Sequence, residues 1–274
     1  MATADAACHF TPQKFQRRAL GDSDVLIDMK FCGICHTDVH VARGETGALS
    51  PAKYPCVPGH ELAGIVAAIG PKVTLFKVGD QIGVGCMVDS CLSCAACKRG
   101  EEQMCGSNTM TYCGAPSARA GVPPGAPQHT LGGYSSAHVV HERFGIRIPS
   151  NYPLEAAGPI MCAGVTLYDP LRRYGAGPGK KVAIVGIGGL GAIGIKIAKA
   201  MGAEVTALTR SAVKASFAKQ NCGADEAIVV TDAAVMKAHA GSFDLILDTI
   251  PSEHDDSVYL PLLEPARGSI VHLG

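Results

Sequence analysis

Three residues far apart in the chain form a Cys/His/Cys set with a carboxylate beside the histidine: Cys35 in the run Cys32 to His40 (CGICHTDVH), His60 in Gly59-His60-Glu61, and Cys162 in Met161-Cys162-Ala163-Gly164. Such a set suits a catalytic zinc, because three protein ligands leave the fourth tetrahedral position to water or a substrate oxygen. Taken singly, a cysteine or histidine is more often a packed core residue than a ligand. The neighbours add weight: Asp38 can take the second ring N–H of a liganding histidine, and Glu61 brings a further carboxylate to the metal.

A second constellation is more compact. Cys91, Cys94, Cys97 and Cys105 place four thiols within fifteen residues, beside Lys98 and Arg99. That spacing can close a four-thiolate zinc shell without help from the rest of the chain, and a closed shell has no vacancy for substrate, so its work is structural. The rivals are four unrelated buried or oxidised cysteines, or a zinc ribbon for nucleic acid. The missing positive charge argues against the ribbon.

The third feature is Gly186-Ile-Gly188-Gly189-Leu190-Gly191. A lone GxGxxG is weak evidence, but this one follows the strand-like Val182 to Val185 and opens an amphipathic stretch to Met201, the context of a dinucleotide turn. The pyrophosphate would rest at the helix N-terminus. At the end of the next strand an NAD enzyme usually carries an acidic residue about 20 positions on. Here Thr209, Arg210 and Ser211 follow one another, with Lys214 one turn further, and Glu204 stands at the wrong edge of the strand. Hydroxyls and cations suit a 2′-phosphate, so NADP(H) is the expected cofactor. The bland reading of Arg210 and Lys214 is ordinary solvated charge.

These residues need a scaffold of two parts. The 274 residues are 47% hydrophobic, ample for a large core, and 24 Lys+Arg balance 24 Asp+Glu. No basic run interleaved with aromatics exists, so neither nucleic acid nor an anionic membrane is expected as partner. The longest uncharged apolar stretch, Val182 to Ile195, is too short for a bilayer, and the N-terminal residues lack a signal-like apolar core. A soluble, cytoplasmic protein is expected, with its twelve cysteines serving as ligands and buried thiols. Residues 1–155 read as an irregular, mostly β domain, with apolar runs at Asp24 to Lys30, Glu61 to Ile69, Gln81 to Cys86 and His138 to Val140. Residues 156–274 alternate regularly. Strands are expected at Lys181 to Val185, Glu204 to Thr209, Ala227 to Val230, Phe243 to Asp248 and Ser269 to Leu273, with helices near 189–201, 212–221, 233–240 and 255–263. That order implies an α/β domain with a doubly wound parallel sheet. The loop Ala115 to Gln128, rich in Ala, Gly and Pro, reads as an exposed excursion.

With these motifs in place, the chain resembles the medium-chain dehydrogenase/reductase superfamily, and within it the zinc-dependent, cinnamyl alcohol dehydrogenase-like branch. The resemblance rests on CGICHTDVH (Cys32 to His40), PGHE (Pro58 to Glu61), GDQIGVG (Gly79 to Gly85), the four cysteines, HTLGGYS (His129 to Ser135), CAGVT (Cys162 to Thr166) and GPGKKVAIVGIGGLG (Gly177 to Gly191), in the family's order over nearly the whole chain. It implies a GroES-like β domain joined to a Rossmann domain across a cleft. It also implies interconversion of aromatic, allylic or medium-chain primary alcohols and aldehydes with NADP(H), and two zinc ions per chain. By the same resemblance Cys35, His60 and Cys162 bind the catalytic zinc with Glu61 close behind. Thr37 and His40 form a proton relay to solvent, His36 lies near the pyrophosphate and Thr166 near the nicotinamide. Family members continue past the fifth Rossmann strand, so the resemblance implies that a C-terminal portion is missing here. The homodimer expected of the full-length family is then in doubt, and the alternative is a truncated fragment that binds zinc and nucleotide without turnover.

Overall fold

The computed structural model describes residues 1–46, 51–116 and 128–274. Most of the loop expected from Ala115 to Gln128 therefore lies outside the described residues. Contacts divide the chain into two compact units, Met1–Cys162 and Ala163–Gly274. No helix among the described residues is long and apolar enough to cross a membrane.

The first unit is built from β1 (Asp24–Cys32), α1 (His36–Arg43), β2 (Leu62–Ile69), β3 (Gln81–Val84), β4 (Met87–Asp89), α2 (Ala95–Lys98), β5 (Thr109–Met110), β6 (Ala137–His141) and β7 (Ile146–Arg147). Five strands make one antiparallel sheet in the order β6-β1-β2-β3-β7, and β4 pairs with β5. Period-2 burial explains the pairing: Val25 and Ile27 of β1 turn inward and pack with Leu62, Val66, Ile82 and Val140. Each fully buried aliphatic side chain contributes about 1.5–3 kcal/mol relative to exposure.

The second unit comprises α3 (Ala163–Arg173), β8 (Lys181–Val185), α4 (Gly189–Ala200), β9 (Glu204–Thr209), α5 (Ala212–Phe217), β10 (Glu226–Val229), α6 (Ala233–Ala238), β11 (Leu245–Asp248) and β12 (Ser269–His272). All its strands are parallel, in the order β10-β9-β8-β11-β12. This is the doubly wound arrangement expected for a dinucleotide fold. The run Val182 to Val185 is buried on both faces: Val182 and Ile184 enter one apolar cluster, Ala183 and Val185 the other.

Two expected helices differ. The segment near 255–263 is a 3-10 helix over Ser257–Leu262 with Pro261 inside it, where proline has no N–H to extend an α-helical ladder. The helix near 212–221 passes at Ala218 into a π turn that ends at Gly223, φ 84°.

Candidate zinc and dinucleotide sites

The first site grows from the start of α1. Cys35 is its N-cap in extended conformation, and Asp38 at the third helical position accepts from the Cys35 backbone N–H at 3.1 Å. The same carboxylate accepts from Gly59 N at 3.0 Å and from His60 Nδ1 at 2.9 Å. Asp38 thus caps a helix with one edge and orients His60 with the other, leaving Nε2 free to ligate. Both residues are 3% exposed. Burial opposes charge on Asp38, but these donors, His60 first, outweigh it and hold the carboxyl below its usual range.

Ligand atoms of Cys35, His60, Glu61 and Cys162 all lie within 4.8 Å of one another. The donor set of two sulfurs, one imidazole nitrogen and one carboxylate oxygen is what zinc prefers. Hydrogen bonds from Cys162 and His60 hold the Cys35 thiol down to about 3, whereas Cys162, which donates that bond, is pushed up. Burial works against a charged His60, yet Asp38 and Cys35 lift it to about 10. Burial and the nearby Cys35 push Glu61 up. Glu61 needs its neighbour to be glycine: a Cβ at Gly33 would lie 1.8 Å from Glu61 Oε2. A further thiol, Cys86, sits against Cys162, whose hydrogen bond draws it down to about 7. Sequence reasoning passed over Gly33, inside the Cys32 to His40 run, and Cys86, which directly follows the Gly79 to Gly85 run.

The other predicted residues of this region lie on α1. Thr37 Oγ1 is 3.5 Å from Cys35 Sγ. The His36 and His40 rings stack with centroids 4.4 Å apart, and His40 Nδ1 is 2.7 Å from Glu45 Oε2. His36 and Thr37 are exposed.

Cys91, Cys94, Cys97 and Cys105 come together as a second four-ligand group. Sulfur separations are 3.5 Å for Cys94–Cys97, 3.5 Å for Cys91–Cys105 and 3.9 Å for Cys91–Cys97. A tetrahedron with zinc–sulfur bonds of about 2.3 Å has edges of about 3.8 Å, so the cluster already fits the ion. Backbone N–H groups of Cys94 and Ser107 donate to Cys91 and Cys105 at 3.4 and 3.3 Å.

In the second unit the glycine turn joins β8 to α4. Gly186 is left-handed at φ 84°, and a Cβ at Gly191 would meet Gly186 O at 1.9 Å, so turn and helix close only without side chains there. Nothing lies within 4 Å of a Cβ at Gly188 or Gly189, and no side chain caps the helix at Gly188. The free N–H groups, with Leu190 in the first turn, therefore open onto space that fits a pyrophosphate. A cavity of about 400 Å³ runs from Gly186 and Gly188 to Thr209, Arg210, Ser211 and Lys214, and no carboxylate lines it. Ser211 Oγ also caps α5, accepting from Lys214 N at 3.4 Å. Thr166 stands half-buried on α3.

Residues 21–150 match the alcohol dehydrogenase GroES-like domain and residues 189–274 the zinc-binding dehydrogenase family. NADP-dependent alcohol dehydrogenase C 1 of Mycolicibacterium smegmatis is 46% identical over 273 residues, covering 100% of this chain and 75% of that protein. Aldehyde reductase YahK of Escherichia coli is 47% identical over 256 residues, 92% of this chain and 70% of its own. Among solved structures, the cinnamyl alcohol dehydrogenase SbCAD4 of Sorghum bicolor superposes with a TM-score of 0.89 at 43% identity, over 99% of this chain and 74% of that one. The enzyme from Helicobacter pylori complexed with NADP(H) gives 0.87 at 38%, over 100% and 74%. The chain belongs to the zinc-binding medium-chain dehydrogenases of the cinnamyl alcohol dehydrogenase type.

Proposed function

We propose that this protein interconverts primary alcohols and aldehydes, of aromatic, allylic or medium-chain type, by hydride transfer with NADP(H) in the cytoplasm. The observation that carries the reading is the convergence of Cys35, His60, Glu61 and Cys162 within 4.8 Å. Its dinucleotide half rests on the uncapped glycine turn and the carboxylate-free cavity beside Arg210. When bound, zinc supplies a Lewis acid for the substrate oxygen and NADPH the hydride, while a second zinc on the four cysteines holds their lobe together.

The chain's own residues do the remaining work. Cys35, His60 and Cys162 hold the metal, with Asp38 fixing the His60 ring. Thr37, beside Cys35, donates a proton to the reduced oxygen, and His40 restores it. His40 is partly exposed and paired with Glu45, so it can exchange that proton with solvent. Backbone N–H groups at Gly188 to Gly191 take the pyrophosphate, with His36 as a second contact. Thr209, Arg210, Ser211 and Lys214 take the 2′-phosphate, and Thr166 faces the nicotinamide.

The test is NADPH oxidation by the zinc-replete chain with cinnamaldehyde, with NADH in parallel. Turnover that prefers NADPH is expected. Absence of turnover in zinc-loaded protein across aromatic, allylic and medium-chain aldehydes would refute the reading, and equal rates with NADH would refute its cofactor half.

A further inference from the structure

Arg17 belongs to none of the motifs, yet its side chain makes an unusually complete set of contacts. Nε donates to Ala137 O at 2.9 Å, Nη2 to Gly132 O at 2.8 Å and to Ser135 Oγ at 2.7 Å, and Nη1 to Leu131 O. All four acceptors lie in residues 131–137, the loop that runs into β6, and none is charged. The fork of the guanidinium suits such a grip, which an ammonium could not reproduce.

The gripped loop lies along the segment that leads into His60. Gly132 N donates to Val57 O at 2.6 Å, Gly133 N to Gly59 O at 2.8 Å and Tyr134 N to Pro58 O at 3.0 Å. The fit leaves no slack: a Cβ would meet Pro58 O at 2.5 Å from Gly132 and Leu62 Cδ1 at 2.6 Å from Gly133. Gly59, at φ 103°, would meet Tyr134 Cδ1 at 2.8 Å. The loop has one seating, and in it the Tyr134 hydroxyl donates to Asp38 Oδ2 at 3.0 Å.

That bond completes a buried carboxylate. Asp38 Oδ1 receives Gly59 N and His60 Nδ1, and Oδ2 receives Cys35 N and Tyr134 OH, four donors for two oxygens. Without the Tyr134 hydroxyl, the carboxylate, 3% exposed, loses one of its donors on Oδ2 and keeps Cys35 N there, with the Tyr112 hydroxyl also against it, so its hold on His60 loosens. Burial and the Asp38 charge push the Tyr134 phenol up, so it remains a donor. We propose that Tyr134 is a positioning residue for the metal at Cys35, His60 and Cys162, acting through Asp38 on His60, and that Arg17 is the clamp that seats it. The inference rests on the reading of those three residues as a metal site.

The experiment is a zinc competition titration of the metal-free 274-residue chain against graded chelators, with the four-cysteine site of the same molecule as internal standard. Wild type should show two sites. Tyr134→Phe should weaken one of them about 10–100-fold, the range for partners behind a liganding histidine, and leave the four-cysteine site unchanged. Arg17→Met should weaken the same site, and the double variant should cost little more than the worse single one, since both act on one contact. A mere packing role for the loop predicts no loss in Tyr134→Phe, which keeps the ring and removes only the hydroxyl that reaches Asp38. Wild-type affinity at both sites in Tyr134→Phe overturns the inference alone. A wild-type chain that binds zinc only at the four cysteines overturns the metal-site reading, and the inference with it. Should Arg17→Met fail to fold, Tyr134→Phe decides the matter.

Discussion

Gly33 sets how closely the Glu61 carboxylate can approach the cysteine and histidine ligands, because any side chain there would occupy the place of Oε2. Gly33→Ala should lower kcat/KM at least about tenfold, as expected when a metal site's supporting groups are displaced, while zinc analysis still finds the four-cysteine ion. Cys162→Ala should reduce zinc content from two to one per chain and abolish turnover. NADPH binding, followed by fluorescence, should persist, since the glycine turn and the Thr209 to Lys214 contacts proposed for the phosphates lie in the other unit. Arg210→Ala should weaken NADPH by about 10–100-fold, the worth of one hydrogen bond to a charged group, and leave NADH nearly unchanged. Measured Kd values for both cofactors check it. At this scale the sequence was legible wherever chemistry is written in spacing, as in the four cysteines and the glycine turn. It was illegible at Tyr134, which stands in the HTLGGYS run but meets Asp38 across 96 positions, a contact no local spacing announces.

Among the elements, the β8 to α4 turn tolerates no Cβ at Gly191. Gly191→Ala should weaken NADPH binding and lower the unfolding midpoint while both metal sites keep their zinc, which calorimetry and metal analysis would show together. The start of β1 depends on charge. Burial opposes a charged Asp24, but the Arg18 guanidinium and the Gly21 N–H, donating at 2.7 Å, outweigh it and hold the carboxyl below its usual range. A depressed carboxylate stabilises the fold above its unfolded pKa of about 3.9, and that contribution drains away as pH falls through the lower folded value. Asp24→Asn should therefore be less stable than wild type at pH 6, and the gap should narrow as pH drops below about 4, read from denaturation midpoints across that range. The parallel sheet could be anticipated because the buried strand runs of β8, β9 and β11 alternate with helices. The segment near 255–263 differs from the expected helix because Pro261, inside it, has no N–H for the α-helical bond, and Ser257–Leu262 forms a 3-10 helix instead.

On the scale of the whole chain, the two metal groups differ in how much protein must exist before they do. The four cysteines span positions 91 to 105, whereas the other group needs Cys35 and Cys162, 162 − 35 = 127 positions apart. Closing the short loop costs less chain entropy than closing the long one, by about 0.6 kcal/mol per doubling of length, and the long one also waits for the β sheet to form. At synthesis rates of about 5–20 residues per second, the compact cluster emerges several seconds before Cys162 does. Zinc supply then becomes a sequential matter. The first equivalent goes to the scaffold and only the second creates a reactive centre, so a culture starved of the ion should accumulate folded, half-loaded chains. Activity of chains synthesised at graded zinc supply should show a lag while the first equivalent is taken up and rise with the second, a dose threshold set by the order in which the cysteines are made.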